Sequence, residues 1–168
     1  MNIVIVIFLI LLISVAIAGS SFAPWVPARK ADLIRIFKLA NLKPSETFYD
    51  LGCGNGRVVI YAAKNFQAKA IGLEIAFPLY LICKWRQIFN PSAVFKYQNL
   101  FTEDLSRADV IYFFGTPQRI NSKLKQKLER EARPGVRIIS YVFPIDSWRP
   151  KQIDRPSKTE LPIYLYVR

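Results

Sequence analysis

The chain of 168 residues contains no histidine. That absence excludes a Ser-His-Asp triad and any histidine-ligated metal centre. Cysteine is scarce: Cys53 and Cys83 are the two present, with no C-x-x-C, so neither a disulfide framework nor a thiolate zinc site is supported. Acids are scarce too, 12 Asp and Glu against 24 Lys and Arg, a formal charge of +12. Glycine occurs seven times, yet three of the seven fall in one run of five residues. No repeat or low-complexity stretch is present. Catalysis here must therefore rest on carboxylates, backbone groups, aromatic rings or the reactivity of a bound cofactor. The length suits one α/β domain with a real core and is too short for two.

The N-terminus carries the one long apolar run. Ile3 to Ala18 has no charge and a single hydroxyl, Ser14, and the uncharged stretch continues to Pro27. A helix needs roughly 20 apolar residues to cross a bilayer, so residues 1–23 are expected to form a transmembrane anchor. A cleaved signal peptide is the competing reading, because Ala16-Ile17-Ala18 fits a cleavage pattern. Against it, no Lys or Arg precedes the run; the first are Arg29 and Lys30. Positive charge on that flank predicts a single-pass membrane protein with its domain on the cytoplasmic or matrix side. The scattered basic excess then suits an anionic lipid surface more than nucleic acid, since Lys123 to Arg133 is its only concentration.

Beyond the anchor, 24–45 reads as a pre-core segment and helix. Pro24-Trp25-Val26-Pro27 is stiff and non-helical, and apolar residues recur at helical spacing from Ala31 to Leu42. From 46 to 168 strands and helices alternate. Strands are expected at Thr47–Leu51, Ala68–Leu73, Val94–Tyr97, Asp109–Phe114, Val136–Phe143 and Pro162–Val167. Helices are expected at Arg57–Lys64, Phe77–Phe89 and Gln118–Ala132. This order implies a doubly wound α/β fold with a mainly parallel sheet. Only a short stretch separates Phe143 from Leu161, so the helix that would precede the last strand is absent or reduced.

Chemistry concentrates in Tyr49-Asp50-Leu51-Gly52-Cys53-Gly54-Asn55-Gly56. Glycines between a strand and a helix permit positive φ and bring the backbone close to a ligand. The helix that follows offers free N–H groups to an electronegative partner. The spacing is G-x-G-x-G with an acid two residues ahead, not the G-x-G-x-x-G of dinucleotide sites. Asp50 would repel a pyrophosphate and attract an amino group. Glu74 closes the next strand, where a carboxylate is placed to accept from ribose hydroxyls. Together these point to an adenosyl ligand carrying an amine.

D-L-G-C-G-N-G followed by G-L-E resembles the first two motifs of class I S-adenosylmethionine-dependent methyltransferases, and the agreement in order runs from about Ala31 to Arg168. The resemblance implies a Rossmann-like methyltransferase sheet with an antiparallel last strand and S-adenosyl-L-methionine as cofactor. It implies cofactor contacts from Tyr49, Asp50, Gly52, Gly54, Gly56 and Glu74, with Asn99 and Leu100 at the adenine. Asn99 stands where that family more often has aspartate. More narrowly, an apolar N-terminal run, then Pro24-Trp25-Val26-Pro27-Ala28-Arg29, then the core is similar to the membrane-bound protein-lysine methyltransferases of adenine nucleotide translocase and the ATP synthase c-subunit. Arg133 to Ser140 and Asp146-Ser147-Trp148 also resemble that group. This implies a membrane-protein lysine as acceptor, with no metal.

The acceptor should enter beyond the fourth strand, at Phe113-Phe114-Gly115-Thr116-Pro117. Phe114 is the candidate wall beside the transferring methyl and Thr116 the candidate amine partner; Phe113 reads as core. Trp25, Asp146 and Trp148 are candidate substrate contacts, although Asp146 and Trp148 suit a capped turn equally well. Cys53 and Cys83 read as packing residues. Alternatives from other classes remain: a lipid or quinone methyltransferase, and a catalytically silent docking module. Base-amino methylation of the Asn-Pro-Pro-Tyr type lacks its tetrapeptide, since Phe114-Gly115-Thr116-Pro117 stands there.

Overall fold

The computed structural model describes residues 2–6, 8, 9, 12–14 and 22–168. Helix α1 (Lys30–Ala40) precedes β1 (Thr47–Leu51), α2 (Arg57–Phe66), β2 (Lys69–Glu74), α3 (Phe77–Ile88), β3 (Ala93–Tyr97) and β4 (Val110–Phe113). A composite helix follows: α4 (Pro117–Arg119), a π-helical turn (Ile120–Leu124) and α5 (Lys125–Glu131). The chain ends with β5 (Arg137–Tyr141), β6 (Gln152–Asp154) and β7 (Ile163–Val167).

The seven strands lie in the order β3-β2-β1-β4-β5-β7-β6. The first five in that order are parallel, and β7 runs antiparallel to both β5 and β6. This is the expected Rossmann-like sheet with its antiparallel strand near one edge. The order reverses between β1 and β4, which opens a crevice at the carboxyl ends of those two strands. Among the described residues no helix separates β5 from β7. The short strand β6, which the sequence did not announce, lies at the sheet edge instead.

Alternation along the strands divides the core. Phe48, Val110, Tyr112, Ile139 and Tyr141 face α1 and α2. Tyr49, Leu51, Ile111, Phe113 and Ile138 face the composite helix through Ile120, Leu124 and Leu128. Burial of such side chains is worth about 1.5–3 kcal/mol each and is the main force holding the layers together.

The transmembrane anchor expected over 1–23, and the single-pass cytoplasmic or matrix placement drawn from it, are not upheld. Among the described residues no helix is long and apolar enough to cross a membrane. Residues 1, 7, 10, 11 and 15–21 of that run, with the cleavage pattern at 16–18, lie outside the described residues. The far end of the run belongs to the domain: Phe22 is buried in the core, edge-on to Phe101 and Phe113. Ser14 Oγ accepts a hydrogen bond from the Phe77 N–H at the start of α3. The basic excess is also partly committed to internal ion pairs. Arg133 pairs with Asp109, Arg137 with Glu46, and Lys127 with Glu131.

One buried polar network fastens α1 to the C-terminal edge. Asp32, fully buried, accepts from the Tyr141 hydroxyl at 2.6 Å and from Arg35 at 2.8 Å. Arg35 also donates to the carbonyls of Asp154 (3.1 Å) and Leu161 (2.9 Å) and pairs with the Asp154 carboxylate. Removing Asp32 leaves the buried Tyr141 hydroxyl without its acceptor and takes one carboxylate partner from Arg35. Asp32→Ala is therefore expected to lower unfolding free energy by about 3 kcal/mol. Denaturant titration checks this; a loss within about 0.5 kcal/mol would contradict the network's role.

Candidate active site

The crevice between β1 and β4 opens into a cavity of about 210 Å³. Its floor is the glycine loop after β1, its sides the ends of β2 and β4, and its cover the pre-core residues Phe22 to Ala28.

The loop is shaped by its glycines. Gly54 sits at φ +56, and a Cβ there would run into the indole nitrogen of Trp25. Backbone N–H groups of Gly52 and Cys53 both donate to the Leu73 carbonyl, at 3.0 and 2.9 Å, and bind the loop to the end of β2. Glu74 completes the attachment. Its Oε2 accepts from the Gly54 N–H at 2.7 Å, while Oε1 accepts from Ile75 and Ala76 at 2.9 and 2.7 Å. A carboxylate offers about four acceptor positions, so capacity remains for a ribose hydroxyl.

Asp50 is almost fully buried and lines the cavity. Burial, and secondarily the Glu74 charge, hold its carboxyl well above the usual range. Burial raises Glu74 as well, partly offset by its three backbone donors. Two acids held this way side by side form a receptor for a positive group. Across the strand pairing Asp50 stands opposite Tyr112, whose hydroxyl is raised well above its ordinary value by burial and by Asp50. Tyr112 and Phe114 share the cavity face of the chain leaving β4, whereas Phe113 points into the opposite core. Sequence reading misses Tyr112; its alternation with Phe114 and its pairing with Asp50 are the signals that could have found it.

Of the expected site residues, Trp25, Asp50, Gly52, Gly54, Glu74, Asn99, Leu100 and Phe114 line this cavity. Asn99 Oδ1 accepts from the Phe101 N–H at 3.0 Å and keeps a second lone pair with which to accept from a ligand amino group. Others are placed elsewhere. Tyr49 faces the opposite core and donates to Glu103 at 3.1 Å. Gly56, at φ +74, starts α2 against Phe95 and Cys83. The Thr116 hydroxyl donates to the Phe22 carbonyl at 3.2 Å, strapping down the cover. The Asp146 side chain is exposed, with its N–H on Asn121 at 2.7 Å. Trp148 packs on Tyr166, lies 5.2 Å from the Arg168 guanidinium and donates to Glu129.

A model of the ANTKMT methyltransferase domain family matches residues 50–152, more than half the chain and all of the site after β1. The chain belongs to this family. A protein-lysine N-methyltransferase of Saccharolobus islandicus is 36% identical over 152 residues, covering 86% of this chain and 92% of that protein. The human lysine N-methyltransferase of the ATP synthase c-subunit is 32% identical over 133 residues, and the match spans 77% of this chain and 56% of that protein. Among solved structures, an RNA methyltransferase from Salinibacter ruber bound to S-adenosyl-L-homocysteine superposes with a TM-score of 0.79 at 29% identity, covering 84% of this chain and 93% of that one. This ANTKMT-family protein is an S-adenosylmethionine-dependent methyltransferase. The cavity fits that cofactor: acids for its ammonium and ribose, a glycine floor for close approach, and Asn99 and Leu100 beside a third edge.

As the proposed partner of the cofactor's ammonium, the buried Asp50 has to ionise on binding, which makes binding depend on pH. Its raised value means that the empty fold keeps the proton to higher pH than an ordinary carboxyl does. Its contribution to stability is present in acid, below the ordinary value of 3.8, and is lost as pH rises through the raised one. Two outcomes follow for Asp50→Asn. The cofactor-free variant melts higher than the wild type at pH 7.5, with the gap closing in acid. Calorimetry of S-adenosylhomocysteine binding shows proton release in the wild type that the variant lacks. Equal proton release in both would rule out Asp50 as the titrating group.

Proposed function

We propose that this enzyme methylates the ε-amino group of lysine in another protein. The observation that carries this reading is the 36% identity to a protein-lysine N-methyltransferase over 92% of that relative. The substrates named for other relatives, the ATP synthase c-subunit and adenine nucleotide translocase, make a membrane-protein lysine the acceptor class to test first.

The cofactor supplies an activated methyl on a sulfonium, so the leaving-group chemistry is its own. The protein has to hold the acceptor amine in line, a contribution of roughly 7–11 kcal/mol when the geometry is fixed. Tyr112 in β4 and Phe114 just after it form the cavity wall where the amine enters. Apolar rings there disfavour a charged ammonium and favour the neutral amine that attacks; its proton leaves to water before transfer. Thr116 acts at one remove, holding Phe22 and with it the cover that bears Trp25. Trp25, half exposed at the cavity rim, is the residue we assign to the peptide around the lysine.

The 29% identity to a protein named as an RNA methyltransferase favours RNA as the second reading. Both are tested by supplying labelled S-adenosylmethionine with a membrane-protein fraction and, separately, with total RNA. Label on lysine in the protein fraction supports the proposal; label in RNA alone overturns it. Phe114→Ala should lower kcat about a hundredfold through misplacement of the amine. Its affinity for S-adenosylhomocysteine, measured alongside, should stay within about threefold.

A further inference from the structure

Lys127 of α5 is buried, with 4% of its side chain exposed, and no part of the mechanism above uses it. Its ammonium donates to the carbonyls of Glu103 (2.5 Å) and Phe101 (3.3 Å) and to the Glu131 carboxylate (2.6 Å). Glu131 in turn accepts from the Leu105 N–H at 3.4 Å. The Glu103 carboxylate is held from the sheet by the Tyr49 hydroxyl at 3.1 Å and by Lys96. Apart from the Lys127–Glu131 pair within α5, each of these bonds grips the segment from Phe101 to Leu105 from the side opposite α1 and α2.

The other end of that segment lines the cavity. Gln98, Asn99 and Leu100 form its wall, and Asn99 is tied to the gripped residues. Its Oδ1 accepts from Phe101 N at 3.0 Å, and its carbonyl accepts from Thr102 N and Oγ1 at 3.0 and 2.9 Å. Phe101 also meets Phe22 edge-on, so the same grip reaches the cover. A buried ammonium is costly to desolvate, and a well-packed apolar replacement is often neutral for stability. Three donors spent on loop carbonyls and one acid fix a shape.

We propose that Lys127, with Glu103, is a positioning residue that sets the adenine-reading loop without touching the cofactor. The proposal rests on the cofactor reading of the cavity, with Asn99 at the adenine edge. Loss of the ammonium frees Phe101 and Glu103, lets Asn99 drift, and weakens recognition of the adenine amino group more than recognition of the rest of the ligand.

The test is calorimetric titration of the full chain with S-adenosylhomocysteine and with S-inosylhomocysteine, in which a carbonyl oxygen replaces the adenine amino group. The wild type should prefer the adenosyl ligand. In Lys127→Met that preference should fall about tenfold, the worth of one well-placed buried hydrogen bond. Lys127→Arg, which keeps charge and donors, should restore most of it. Glu103→Gln, a milder change in the same network, should lower it in the same direction and serves if Lys127→Met does not fold. Equal weakening toward both ligands in these variants would overturn the proposal, as would a wild type that binds the two alike. A folded wild type that binds neither would instead overturn the cofactor reading itself.

Discussion

The site depends on one carboxylate. Glu74 is the last residue of β2, and its two oxygens accept from Gly54, Ile75 and Ala76. Those bonds join a rigid strand end to a loop whose three glycines all hold positive φ. A loop of that kind has little side-chain packing of its own and needs an external clamp to keep one conformation. We propose that the clamp is also the ribose acceptor, so that the group that shapes the floor of the pocket reads the ligand as well.

Two straps complete the enclosure, both distant in sequence. At the cover, the Phe22 carbonyl takes both the N–H and the hydroxyl of Thr116, which places the pre-core residues over the crevice. Arg57 reinforces this by donating to the Ala28 carbonyl at 2.7 Å. At the sheet edge, Arg35 binds α1 to β6 and to the turn before β7. A chain that lacks a helix between β5 and β7 exposes that edge, and the Asp32–Arg35–Tyr141 network supplies the attachment a helix would have given. The aromatic face left beside the cavity, Tyr112 and Phe114, is then a consequence of strand alternation against Asp50.

Much of this is legible in the residues. Strand-to-helix spacing implies the parallel order, and Gly52-Cys53-Gly54-Asn55-Gly56 with Glu74 locates the pocket, because these are local patterns with fixed physical meaning. What stays hidden depends on partners far along the chain. Tyr49 precedes Asp50 and reads as part of the same motif, yet period-two alternation turns it to the other face and onto Glu103. Thr116 reads as an amine partner; only the folded position of Phe22 shows where its hydroxyl goes. The apolar N-terminal run reads as a bilayer span by composition, whereas Phe22 at its end is spent on the domain core. Lys127 sits in a run of basic residues that reads as a surface facing solvent or lipid, and its burial follows from the loop folding back on α5.

The central claim is that the β1–β4 crevice is the S-adenosylmethionine site and that its acids hold the ligand. A crystal structure of the chain with S-adenosylhomocysteine tests it most directly. The account predicts the ribose hydroxyls on Glu74, the amino group beside Asp50, the adenine along Asn99 and Leu100, and the sulfur facing Phe114. Ligand density outside the crevice, or ribose turned away from Glu74, would contradict it.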